Sequence, residues 1–221
     1  MPYRKRRYSR KPYYPNRRPY RKRPRRGNYI FYRRLRNKMY RLAKYMNVEF
    51  KQHIVTDSQA IGNSGYILPL TNIDQGDTDT TRDGNSIKLT TLLMRGSVIY
   101  DNTTDGFQPI RIMLVLDRQT NQSQFSITDL LQSTSIYSSL NIDNGKRFKI
   151  LKDMLLNVYS DKPQIMLKTK KAIPYHIRYD NTGNGIADLT QSSLALVAIT
   201  PNVTSDGPIL TTNFKIRYVD N

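Results

Sequence analysis

The sequence predicts an all-β protein, a single eight-stranded antiparallel jelly roll with a basic N-terminal arm and a short amphipathic helix. Three observations point there. Beyond residue 46, apolar and polar residues alternate in short runs separated by stretches rich in Gly, Asn, Asp and Pro, which is the pattern of half-buried strands joined by turns. Helical periodicity is nearly confined to residues 28–46. Charge is also divided: 19 of the 36 Lys and Arg lie in the first 46 residues, which hold no Asp or Glu, so 17 remain to face all 17 acidic residues. The net charge of +19 therefore belongs to the arm, and the domain division expected is arm 1–46 and shell domain 47–221.

In the arm, basic clusters alternate with Tyr and Pro: Pro2, Tyr3, Tyr8, Pro12, Tyr13, Tyr14, Pro15, Pro19, Tyr20 and Pro24. Self-repulsion this dense does not support a packed core, and a polyanion is needed to condense it. Proline blocks helix, the planar guanidinium pairs with phosphate, and tyrosine stacks on unpaired bases. The expected nucleic-acid contacts are Arg4, Lys5, Arg6, Arg7, Arg10, Lys11, Arg17, Arg18, Arg21, Lys22, Arg23, Arg25, Arg26, Arg33, Arg34, Arg36, Lys38 and Arg41. Such an arm follows backbone charge rather than base sequence. Basic runs also serve as nuclear-localisation signals, and both roles are compatible.

Phe31, Leu35, Met39, Leu42 and Met46 recur at intervals of four and three, so residues 28–46 read as an amphipathic basic helix that Asn28 could cap. Its stripe has three destinations: its own domain, copies of itself, or a membrane surface, the last disfavoured by the Tyr- and Pro-rich arm beside it.

The strands follow in order. Val48, Phe50 and Ile54 alternate with Glu49, Lys51 and His53, which predicts a first strand with the apolar set inward. Residues 59–86 read as a long polar loop with room for one short strand at Tyr66 to Leu70. Ile87 to Tyr100 is the second strand. The third, Ile110 to Asp117, is apolar on both faces, with Ile110, Ile112, Leu114 and Leu116 on one and Met113 and Val115 on the other. A polar segment, 118–146, holds a short helix from Ile127 to Leu131 begun by Ser126. Phe148 to Val158, Ile165 to Lys170, Tyr175 to Tyr179, Leu194 to Thr200 and Leu210 to Tyr218 supply the remaining five strands.

Other chemistries find little support. There is no cysteine, hence no disulfide framework, thiolate metal site or thiol nucleophile. The amino terminus lacks the apolar run of a secretory signal and no stretch approaches bilayer-spanning length, so a soluble protein without membrane insertion is expected. The sequons at Asn102, Asn121 and Asn202 carry no weight without export. His53 and His176 sit in strand patterns, and no nucleophile elbow, phosphate-cradling glycine loop or His-plus-carboxylate metal spacing occurs. Asp74, Asp77, Asp79 and Asp83 share one loop at spacings that suit Ca²⁺, but the Glu that completes a calcium hand is missing, and a solvated polar loop is the better reading. No catalytic residue, metal or cofactor is expected.

Three segments taken together, Arg82-Asp83-Gly84-Asn85-Ser86-Ile87-Lys88-Leu89, Arg111-Ile112-Met113-Leu114-Val115-Leu116-Asp117-Arg118-Gln119 and Arg147-Phe148-Lys149-Ile150-Leu151-Lys152-Asp153, resemble the capsid proteins of circovirus-like viruses with small circular single-stranded DNA genomes. That shell-protein lineage includes plant satellite RNA viruses. The resemblance implies one jelly roll assembling into the smallest icosahedral shell, T=1, with the arm inside against a single-stranded DNA genome. It also implies a host receptor and nuclear-import machinery as partners. The arm's own chemistry accepts RNA equally. About sixty copies of a +19 chain supply on the order of 1,100 positive charges, enough to neutralise much of a genome of about one to two kilonucleotides.

Three functions compete on the sequence: a self-assembling coat protein, a cellular nucleic-acid binder of ribosomal or chromatin type, and a nucleic-acid enzyme tethered by its tail. The second predicts a basic face on the body, which is neutral overall; the third needs acid, base or metal residues in a cleft.

Overall fold

A computed structural model describes residues 49–101, 106–203 and 207–220. The arm, the helix expected over 28–46 and all eighteen arm residues assigned to nucleic acid lie outside them. Glu49–Asn221 forms one compact unit. Its strands are β1 Phe50–Ala60, β2 Tyr66–Pro69, β3 Ser86–Ile99, β4 Phe107–Asp117, β5 Phe148–Tyr159, β6 Gln164–Ala172, β7 His176–Tyr179, β8 Leu189–Gln191, β9 Ser193–Ile199 and β10 Ile209–Asp220. One short helix, α1, spans Ile127–Leu130.

Sheet A runs β1-β10-β3, with β6 and β7 following one another along the far side of β3 and β8 beyond β7; sheet B runs β2-β9-β4-β5. The first strand lies beside the last in one sheet, and the second beside the ninth in the other. That interleaving is the double-Greek-key connectivity of a jelly roll. The eight expected strands are all found, the short stretch at Tyr66 to Leu70 is β2, and β8 is additional, between the strands expected at Tyr175 to Tyr179 and Leu194 to Thr200. Strands β7 and β8 extend sheet A rather than belong to the eight-stranded frame.

Strand alternation sorts side chains into two cores. Ile110, Ile112, Leu114 and Leu116 of β4 join Leu194, Leu196 and Ala198 of β9 between the sheets, against Leu92, Met94, Phe214 and Ile216 of sheet A. Met113, Val115, Ala195, Val197 and Ile199 point to the other side of sheet B, where Phe125, Ile127, Leu130, Leu131 and Ile136 cover them. The segment 118–147, polar in composition, is thus a strap that seals the outer face of sheet B. Its helix starts as expected at Ser126, whose hydroxyl accepts from the Asp129 amide while Asp129 accepts from the Ser126 amide. The Ser126 amide and hydroxyl, both donating to the Asp129 carboxylate, hold it below its usual pKa. Two ion pairs clamp the strap. Arg147 grips Asp117 at 2.8 and 2.9 Å, and Arg111 grips Asp153 at 2.7 and 3.0 Å while donating to the Ile136 and Ser138 carbonyls.

The first strand is turned over relative to the sequence expectation. Phe50 and Ile54 face outward and are exposed, whereas Lys51, 3% exposed, points inward with Val55. The reason is electrostatic. Lys51 Nζ pairs with Asp83 and, at 3.4 Å, with Asp220. Burial alone would lower its pKa, but the hydrogen bond to Asp83 and the charge of Asp220 outweigh that and leave it above the ordinary lysine value. A lysine so paired is accommodated where the local pattern calls for an apolar residue.

The loop between β2 and β3 is built around Arg82, which is fully buried. Its guanidinium donates to the carbonyls of Ile73 at 3.0 Å and Gly84 at 2.8 Å, and to those of Asn181 and Gly183, and lies 4.0 Å over the Tyr179 ring. Of the loop carboxylates, Asp83 is taken by Lys51 and Asp74 accepts from Asn184 at 3.1 Å. Among the described residues no three acidic or imidazole groups converge as metal ligands.

Candidate nucleic-acid interface

The outward face of sheet A collects cations that form no ion pair among the described residues. Alternation makes this necessary: Ile87, Leu89, Leu92 and Met94 of β3, Leu167 of β6, Ile177 of β7, and Phe214 and Ile216 of β10 are buried between the sheets. The residues between them must therefore face away. Those positions carry Lys88 and Arg95 on β3, Lys168 and Lys170 on β6, Arg178 on β7, and Lys215 and Arg217 on β10.

The registers arrange them in rows across the sheet. Thr56, Asn213, Arg95 and Lys168 form one row, and Ile54, Lys215, Leu93 and Lys170 the next, followed by Gln52, Arg217, Thr91 and Ala172. Neighbouring strands stand about 4.8 Å apart and successive same-face rows about 6.8 Å apart, so neighbouring cations in this lattice of rows are about 5–10 Å from one another. A shallow groove of about 310 Å³ runs between Leu93, Arg95, Asn213, Lys215 and Arg217.

None of the outward strand positions of sheet A is Asp or Glu. Asp57, on β1, alternates inward and accepts from the Tyr66 hydroxyl, whose pKa burial and this carboxylate push up to about 12. Asp220 turns to Lys51. Among the described residues none of the seven cations enters an ion pair, whereas Arg111, Arg147 and Lys51 all do. Cations held on a rigid sheet without counter-charges suit a polymer of phosphates, each contact releasing a condensed counterion. Phe50 and Ile54 border this lattice on the edge strand β1.

This face is what sequence reasoning missed. A body with equal numbers of acidic and basic residues is neutral in sum, yet seven of its seventeen cations share one layer. The signal was present in strand parity, since Lys168 and Lys170, and likewise Lys215 and Arg217, are two residues apart. A basic face on the body therefore no longer separates a coat protein from a cellular nucleic-acid binder. His53 sits half-buried on β1, where burial lowers its pKa against the opposing charge of Asp74.

Comparison with known proteins bears on the choice. No curated protein sequence matches the chain. Solved structures similar to it include Desmodium yellow mottle tymovirus, at TM-score 0.33 and 9% identity over 77% of this chain and 87% of that one. Turnip yellow mosaic virus aligns at TM-score 0.30 and 9% identity over 79% and 94%. Dimeric latent PorU from Porphyromonas gingivalis aligns at TM-score 0.37 and 10% identity over 78% of this chain, which spans only 13% of PorU. The satellite tobacco necrosis virus coat protein profile matches residues 32–221, from the last part of the arm through β10, and the chain belongs to that coat-protein family.

Proposed function

We propose that this viral coat protein assembles about sixty copies into a T=1 icosahedral shell and packages a circular single-stranded DNA genome. The genome would be gripped by the arm and by the cationic face of sheet A. The observation that carries the reading is that face: seven cations with no ion pair among the described residues, on strand positions without a carboxylate, on the layer opposite the one the strap covers. Family membership supplies the coat. The arm residues Arg4 to Arg41 supply most of the charge, and the face supplies an ordered surface on which the polymer lies. The role is structural rather than catalytic, and the location is the virion.

DNA rather than RNA, and a circovirus-like lineage with passage through the host nucleus, rest on the sequence resemblance. On that reading the arm also engages nuclear-import machinery, and exposed loops meet a host receptor. The cellular nucleic-acid binder is the second reading, favoured by the basic face and disfavoured by the family.

Negative-stain imaging of the purified protein tests the proposal. Uniform closed shells are expected, with contents that resist nuclease until the shells are opened and then yield to DNase but not RNase. RNase-sensitive contents would assign the genome to RNA. A monomer at high concentration with no shells would retire the coat role.

A further inference from the structure

The strap does not cover all of sheet B. It reaches as far as Ile136, which is buried, and beyond that point Phe107 on β4 and Leu155, Asn157 and Tyr159 on β5 are exposed, while Pro109 between them is buried. Phe107 and Tyr159 are directly paired across the two strands, and Leu155 stands two rows further along opposite Arg111. All three are exposed, as are Tyr137 at the strap's margin and Val203 just past β9. A hollow of about 560 Å³ opens there, lined by Asn63, Phe107, Pro109, Ile136, Tyr137 and Pro201, with the polar run 133–135 on one side.

Phe107 and Tyr137 are 65% and 75% exposed, too much apolar surface in one place for a side chain facing water by chance. Together with Tyr159, paired to Phe107, they present on the order of 400 Å², about half of the roughly 800 Å² that each partner contributes to a stable interface. The patch is continuous with the core under the strap, as if the sheet's covering layer were finished by another molecule. The opposite layer cannot serve, because two carboxylate-free cationic faces repel each other.

We propose that this uncovered end of sheet B is an interface between copies of the chain, the hollow between Phe107 and Tyr137 receiving an apolar side chain of a neighbouring copy. The choice of a second copy as occupant rests on the coat reading, in which other copies are the partner always at hand. It divides the fold by layer: sheet A meets polynucleotide, and the far end of sheet B meets protein. Aromatic residues in such a hollow carry a disproportionate share of interface energy.

Phe107→Arg and Tyr137→Asp test the idea in the full-length chain. Each variant is expected to keep the wild-type circular dichroism and urea midpoint and to bind a single-stranded oligonucleotide as the wild type does. The protein concentration at which shells appear should rise at least about tenfold. If Phe107→Arg fails to fold, Tyr137→Asp, on the exposed strap margin, decides the matter. Variants that assemble at the wild-type concentration overturn the interface while leaving the coat reading intact. A wild type that never assembles sinks both.

Discussion

Cutting the chain to Glu49–Asn221 is expected to leave a body that folds with an unchanged thermal transition and packages no nucleic acid. The structural half follows from the ladders. Among the described residues, every hydrogen-bonded register of both sheets falls within Phe50 to Asp220, and both cores draw on residues from Val55 onward. The functional half follows from charge, because the arm holds 19 of the 36 basic residues and all of the net +19. The salt dependence of binding to single strands scales at roughly 0.7 per phosphate neutralised. The truncated body, with its seven face cations, should then show a log–log slope no steeper than about 5, against more than about 10 for the full chain. Filter binding across a salt series, with particle absorbance ratios for packaging, gives both readings. Truncated protein that aggregates would place part of residues 28–46 in the core, and truncated shells filled to the wild-type level would remove the arm from packaging.

Replacing Arg82 with Leu is expected to cost about 4 kcal/mol or more. The side chain is fully buried and its guanidinium satisfies carbonyls on both sides of the jelly roll's end, Ile73 and Gly84 in its own loop and Asn181 and Gly183 in the loop after β7. Leucine fills much of the volume but leaves these acceptors without donors, each costing about 1–3 kcal/mol, and ends the contact with Tyr179. Against a total stability of about 5–15 kcal/mol, this moves the urea midpoint far down. Arg82→Lys should rescue little, since an ammonium has three donors and no planar fork to span four carbonyls. A loss under about 1 kcal/mol for Arg82→Leu would show that water or a shifted loop replaces the guanidinium at little cost.

Strands whose two faces differ in polarity could be located from the sequence alone, and so could the apolar character of both faces in β4. That double character also implied two covered faces for sheet B, and hence a covering segment. The strap itself does not announce its role, because only Ile127, Leu130 and Leu131 keep a helix period, and Phe125 and Ile136 stand outside it in a polar stretch. Strand β1 misleads for a different reason. The partners that make Lys51 an inward residue, Asp83 and Asp220, lie far along the chain, and no local pattern contains them. The three residues of β8 pair with β7 through tertiary contact alone. Arg82 stood in the motif that carried the family resemblance, but nothing in the string of letters distinguishes a buried arginine from a solvated one.

The candidate site divides in the same way. Its charge-dense arm is conspicuous by composition, whereas the face of sheet A appears only once the strands are placed in register. Net charge averages over a surface that a polyanion reads one layer at a time.

A lysine-reactivity footprint tests that division most directly, comparing filled particles with the same particles emptied of nucleic acid. Where emptying leaves the particles closed, shell contacts are common to both states and the difference reports the polymer. Lys88, Lys168, Lys170 and Lys215 should gain reactivity on emptying, while Lys146 and Lys162, exposed outside sheet A, should not change. Equal labelling of the four sheet A lysines in both states, with the change confined to Lys146 and Lys162, would contradict the assignment of sheet A to the genome.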